Sequence, residues 1–90
     1  MTSSLQSLRD QIDQLDATIQ NLISERARCA QHVAEIKKAE GSTDTVFYRP
    51  EREAQVLRKV MERNQGPLDN EEMARLFREI MSSCLAVEQP

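Results

Sequence analysis

The sequence has no tryptophan, one tyrosine, two phenylalanines, two glycines, three prolines and one histidine in 90 residues. Two glycines cannot build a glycine-rich phosphate loop, and His32 has no Cys or His at ligand spacing beside it. Neither a zinc site nor a histidine-centred triad is supported. The two cysteines, Cys29 and Cys84, both fall on apolar helical faces, where reduced core residues are expected rather than a disulfide or a metal pair. No polybasic run is present: 12 basic residues are interleaved with 15 acidic ones, the net charge is −3 and the pI is near 5.1. That balance argues against a nucleic-acid partner. There is no leader-like start and no apolar run near the roughly 20 residues a membrane helix needs, so a soluble, cytoplasmic protein is expected. Residues 1–90 read as one small domain, which buries only about 60 to 65% of its unfolded surface and is marginal as a monomer.

What the sequence does have is helical periodicity. Leu5, Leu8, Ile12, Leu15, Ile19, Leu22, Arg26, Cys29, Val33 and Ile36 recur in steps of three and four, the spacing of one helix face. Ser3 with Gln6 has the form of a capping box, and nothing breaks the run before Gly41. Arg26 interrupts the apolar stripe, and a buried guanidinium must find a partner or an anion. Lys37 follows eleven residues later, within roughly 20° of the same direction and about 16 Å along the axis. Two long cationic side chains so placed can converge on one small ligand. Spacing alone is equally satisfied if Arg26 pairs with a neighbouring carboxylate and Lys37 merely suits the helix dipole.

The run at 40–45 reads as a loop, followed by Phe47 and Tyr48 and then by Pro50, which suits the first turn of a helix. That second helix carries Val56, Leu57, Val60 and Met61 on a narrow stripe and stops at Asn64-Gln65-Gly66-Pro67. Asp69 followed by Glu72, with Leu68 and Met73 as a staple, announces a third helix. Its face of Met73, Leu76, Phe77, Ile80, Met81, Cys84 and Leu85 continues to Glu88. A carboxyl among apolar neighbours has a raised pKa and can stay protonated; the alternative is a solvated residue in a fraying last turn. The expected fold is therefore all-α, with helices over about 3–39, 49–63 and 70–87. The first helix has more seam than two short helices can cover, which predicts an intertwined helical homodimer. Arg9 lies about 25 Å along the rod from Arg26 and roughly 100° around it, so only a partner chain could bring it to the same ligand.

Arg9, Arg26, Lys37, Arg52, Glu53 and Glu88 together suggest a cationic pocket with one or two carboxyls, and no nucleophile paired with a base. Such a pocket can bind a small polyanion, hold it in a reactive shape and stabilise developing charge. The ordered motifs Leu8-Arg9-Asp10-Gln11-Ile12-Asp13, Leu15-Asp16, Glu25-Arg26-Ala27-Arg28, Ile36-Lys37, Tyr48-Arg49-Pro50-Glu51-Arg52-Glu53 and Leu76-Phe77-Arg78-Glu79-Ile80-Met81 closely resemble the all-helical class of chorismate mutases. The resemblance runs from about Leu5 to Glu88 and is closest to the N-terminal domain of bifunctional chorismate mutase/prephenate dehydratase enzymes.

That resemblance implies an isomerase without cofactor or metal, converting chorismate to prephenate in aromatic amino acid biosynthesis. It implies a homodimer in which Arg9 of one subunit joins Arg26 of the other on the two substrate carboxylates. Lys37 would meet the ether oxygen, Glu53 the ring hydroxyl, and Arg49 and Arg52 would frame that end; Cys84 and Glu88 would line the side given by the third helix. Lys37, Glu88 and Arg26 are the implied catalytic groups. Cys84 stands where many relatives carry serine, and Arg49 where some carry aspartate. A fused prephenate dehydratase domain in the native chain is a further implication. Two other readings are an isochorismate-pyruvate lyase on the same scaffold and a non-catalytic helical dimerisation module.

Overall fold

The computed structural model describes residues 4–40 and 49–88. They form three α-helices: α1, Leu5–Ala39; α2, Pro50–Arg63; and α3, Asn70–Glu88. Among the described residues there is no strand. No helix among them is long and apolar enough to cross a membrane. Glu40 is the C-cap of α1; the rest of the loop expected at 40–45, with Phe47 and Tyr48, lies outside the described residues.

The start of α1 differs from expectation by one residue. Ser4 is the N-cap, and its hydroxyl oxygen accepts from the Ser7 backbone N–H at 3.0 Å. Ser3 lies outside the described residues, and Gln6 donates its amide to Asp10 at 2.9 Å. Because Ser4 sits in an extended conformation (φ −75°, ψ 163°), its Oγ reaches the third helical amide.

More consequential is which face of α1 the chain covers. The large apolar seam stays exposed, from 65% at Leu5 and 55% at Ile12 to 58% at Ile36. The one buried α1 residue is Ala34, and Ala27 and Ala30 on the same stripe are half-buried. Of the other two helices, only α3 packs against α1. Alanine leaves no side chain beyond Cβ, so α3 can approach the α1 backbone closely along this stripe. Cys29 was expected in the core but is exposed, because it lies with the seam and not with the alanines.

α3 is the bridge of the fold. It packs against α2 as well as α1, whereas α1 and α2 do not pack on each other. Ala74 and Cys84 of α3 and Val60 of α2 are buried, and Val56, Leu57, Phe77 and Ile80 are half-buried around them. Leu76 and Met61, expected on the buried stripes, are partly exposed at their edges.

The α2–α3 connection is built by polar side chains. Asn64 donates to the Leu68 carbonyl (2.8 Å) and the Asn70 side-chain oxygen (2.9 Å), and its own oxygen accepts from the Gly66 N–H at 3.2 Å. Gly66 has φ +75°, a region glycine enters without strain. Asp69 then caps α3, accepting from the Glu72 N–H at 2.8 Å. Glu72 does not complete a reciprocal box: its two carboxylate oxygens take Arg75 at 2.8 and 2.9 Å.

The result is elongated, 60 × 23 × 15 Å, with a radius of gyration of 16.9 Å. A compact chain of this length has a radius of gyration of about 12 Å. Enlarging the alanine stripe tests how α3 is seated. Ala34→Leu is expected to lower stability by about 1 to 3 kcal/mol through overpacking, read as a shift in the urea midpoint of the helical CD signal. An unchanged midpoint would show that α3 does not rest there.

Candidate active site

The three helices line an open cavity of about 730 Å³. α1 lines it with Arg26, Cys29, Ala30, Val33 and Lys37, one face over three turns. The first turns of α2 contribute Arg49, Arg52, Glu53 and Val56. Pro50 at the first helical position fixes where this turn begins, and Arg49 is its N-cap. α3 contributes Arg78, Met81, Ser82, Cys84, Leu85 and Glu88. The cavity thus collects Arg26, Lys37, Arg49, Arg52, Glu53, Cys84 and Glu88, seven of the eight expected site residues.

Arg9 is the exception. It is exposed and does not line the cavity of its own chain. Seventeen residues of helix, about 25 Å, separate it from Arg26. Arg78, quoted only within a motif, and Ser82 are polar lining residues that the sequence reading did not place at the site. They stand one turn apart on the flank of α3, off the apolar stripe that drew attention to Glu88.

The charges at the Glu88 end are coupled. Burial pushes the Glu88 carboxyl above the ordinary carboxylate range, and the positive charges of Lys37 and then Arg26 pull it partly back. All three side chains are half-buried. The alternative of a solvated Glu88 in a fraying turn is therefore not what is found. At the other wall Arg52 donates to the Gln55 side-chain oxygen at 2.7 Å, which sets the direction of its guanidinium. Cys84 is only 3% exposed, so its thiol presents little surface to anything in the cavity.

Five cations and two carboxyls line this space, in a chain whose net charge is −3. The cavity is a concentrated positive field in an acidic protein, suited to a small dianion. No hydroxyl or thiol in it is paired with a histidine base: His32 lies elsewhere, 3.5 Å from Glu35 and well exposed. Among the described residues no group of three or more Cys, His, Asp or Glu side chains could hold a metal ion. What remains is binding, shaping and electrostatic stabilisation.

A family model for chorismate mutase type II matches residues 8–89 of the sequence. The chain belongs to the type II chorismate mutase family. Among curated relatives, the bifunctional chorismate mutase/prephenate dehydratase of Stutzerimonas stutzeri is 68% identical over 88 residues, covering 96% of this chain and 24% of the relative. The enzyme of that description from Pseudomonas aeruginosa is 65% identical over 89 residues, with 96% and 24% covered. The chain thus spans about a quarter of the length of these chorismate mutase relatives. Among solved structures, the chorismate mutase of Thermus thermophilus (form II) superposes with a TM-score of 0.85 at 32% identity, covering 93% of this chain and 92% of that one. A chorismate mutase from Helicobacter pylori in complex with prephenate gives 0.83 at 26% identity, over 97% and 91%.

The position of Glu88 makes a direct prediction. A carbon-detected NMR titration should place its midpoint above the ordinary value near 4.5, and Arg26→Gln should raise it further by removing one opposing charge. Because the folded state holds the proton more tightly, this group favours folding most below its unfolded pKa. That contribution is lost as pH rises through the raised folded pKa. A midpoint at or below 4.5 would mean that Glu88 is not desolvated.

Proposed function

We propose that this chain catalyses the rearrangement of chorismate to prephenate, acting in the cytoplasm as a homodimer with two shared sites. The observation that carries the reading is the meeting of Arg26, Lys37 and a Glu88 carboxyl of raised pKa in one cavity. The reaction is unimolecular: the ether C–O bond breaks ahead of C–C bond formation, and negative charge grows on the ether oxygen. Lys37 and protonated Glu88 meet that oxygen, each as a hydrogen-bond donor whose interaction strengthens in the transition state. Arg26 holds a substrate carboxylate. Arg52, Glu53 and Arg49 hold the ring end, with Glu53 accepting from the hydroxyl, and Cys84 contributes shape.

Dimerisation follows from surface that the chain cannot cover. It exposes 7380 Å², against about 5,400 Å² for a compact protein of this mass. The α1 seam contributes a continuous apolar part of that surface, and the seam matches itself in reverse. Leu5 with Cys29, Leu8 with Arg26, Ile12 with Leu22 and Leu15 with Ile19 are all centred on Ala17. An antiparallel partner helix in this register seats Leu8 of one chain beside Arg26 of the other and brings the adjacent Arg9 to the cavity rim. Arg9 of the partner then binds the second carboxylate. In a native chain as long as its relatives, a prephenate dehydratase domain would follow.

Loss of chorismate with purified protein tests the activity, and Arg26→Ala or Lys37→Ala should reduce kcat/KM at least about a hundredfold. Full turnover by both variants, with Arg26→Ala gaining stability, would leave only a helical dimerisation module. Mixing the inactive Arg9→Ala and Lys37→Ala chains should restore about a quarter of parent activity, since half the dimers are mixed and carry one intact site. No recovery after subunit exchange would refute the shared site. Activity should fall as pH rises through the Glu88 pKa, and Glu88→Gln should flatten that profile; a pH-independent parent would remove Glu88 from the reaction.

A further inference from the structure

Arg78 is not assigned any part in the rearrangement, yet it lines the cavity from α3. Ten residues separate it from Glu88, about 15 Å along the helix and roughly 80° around it. It is exposed, as Arg49 and Arg52 on α2 are, where Arg26 and Lys37 are half-buried; of the three exposed cations it is the one on α3. It makes no ion pair with any described residue, although two acidic side chains, Glu53 and Glu88, line the same space. A cation so placed is not aimed at the atoms between Lys37 and Glu88, and it stays hydrated. It stands on the exposed part of the cavity lining, in reach of bulk water.

We infer that Arg78 is an entrance cation of this site, helping to capture the dianionic substrate from solution before Arg26 and Lys37 hold it. The inference rests on the chorismate mutase reading. An exposed charge outside the reacting centre interacts about equally with ground state and transition state, so it acts on capture and not on the chemical step. Its effect is long-range and is removed by salt: the screening length is about 30 Å at 0.01 M and about 3 Å at 1 M. Ser82, one turn on, offers a hydroxyl beside it on the path inward.

The test is steady-state kinetics with chorismate across that salt range for the parent, Arg78→Gln, Arg78→Lys and Lys59→Gln. Lys59 is exposed on α2 and does not line the cavity, so its loss changes net charge alone. At low salt Arg78→Gln should lower kcat/KM about five- to tenfold, with kcat within about twofold of the parent, and the deficit should vanish at high salt. Arg78→Lys should restore most of it, and Lys59→Gln should match the parent. The inference is overturned if Arg78→Gln equals the parent at low salt. It is equally overturned if kcat falls in step with kcat/KM, if the deficit is insensitive to salt, or if Lys59→Gln shows the same deficit. A parent that does not consume chorismate overturns the activity itself, a result distinct from all of these.

Discussion

Everything that makes a site in this chain depends on α3 lying close against the alanine stripe of α1. Ala27, Ala30 and Ala34 form a shallow surface, and only a helix brought near the α1 backbone can bury Ala34 to 4% and Cys84 to 3%. The same approach carries the end of α3 past Arg26 and Lys37, so that Glu88 loses water and gains two cationic neighbours together. α2 has no contact of its own with α1 and is held by α3. Its arginines reach the cavity only because α3 brings them there. Packing of small side chains is thus the cause, and the electrostatics of the cavity its consequence.

Those electrostatics carry an internal cost. Five cations around one cavity repel each other, and two carboxyls compensate only in part. Burial raises the Glu88 pKa while Lys37 and Arg26 lower it, and burial prevails. A dianion entering this space relieves repulsion that folding built in, which favours binding without a deep apolar pocket. Elsewhere the chain is acidic, and cations outside the cavity are interleaved with carboxylates. Arg75, for example, is taken up by Glu72. The positive field is therefore confined to one place.

Large side chains and polar punctuation were legible in the sequence, and small side chains were not. Pro50, Asn64 with Gly66, and Asp69 set helix ends through dihedral limits and hydrogen bonds that act over a few residues, so their placement followed from local chemistry. Arg26, Lys37 and Glu88 were visible because a charge interrupting an apolar stripe is conspicuous at helical spacing. The alanine stripe was hidden by the stronger Leu and Ile pattern beside it: hydrophobic periodicity weights a residue by its size, while close packing of two helices selects against size. Cys29 was misplaced for that reason, assigned to a core that lies one stripe away. Arg78 and Ser82 sit on a flank where no apolar pattern marks them, and only the three-dimensional convergence of α1, α2 and α3 brings them to the site. Arg9 is the reverse case, singled out by motif although its own chain leaves it far from the cavity.

The two stripes of α1 explain why the cations stand where they do. On a helix of 3.6 residues per turn the Leu and Ile seam and the alanine stripe are offset by roughly 80°; Arg26 lies on the seam itself, with Lys37 roughly 20° toward the alanines and Ala30 on the near edge of their stripe. Ala34, deepest on the alanine stripe, is sealed under α3, and the N-terminal part of the seam would be covered by the proposed partner helix. Arg26 and Lys37 stand where α2 and α3 also reach the cavity, so each is partly desolvated yet reachable. Half-burial of Arg26 and Lys37 in the single chain is the beginning of that condition, and the partner's helix along the seam would complete the wall. Under the proposed function assembly and catalysis would be inseparable, because the exposed seam includes Arg26 and adjoins the rest of the charged surface.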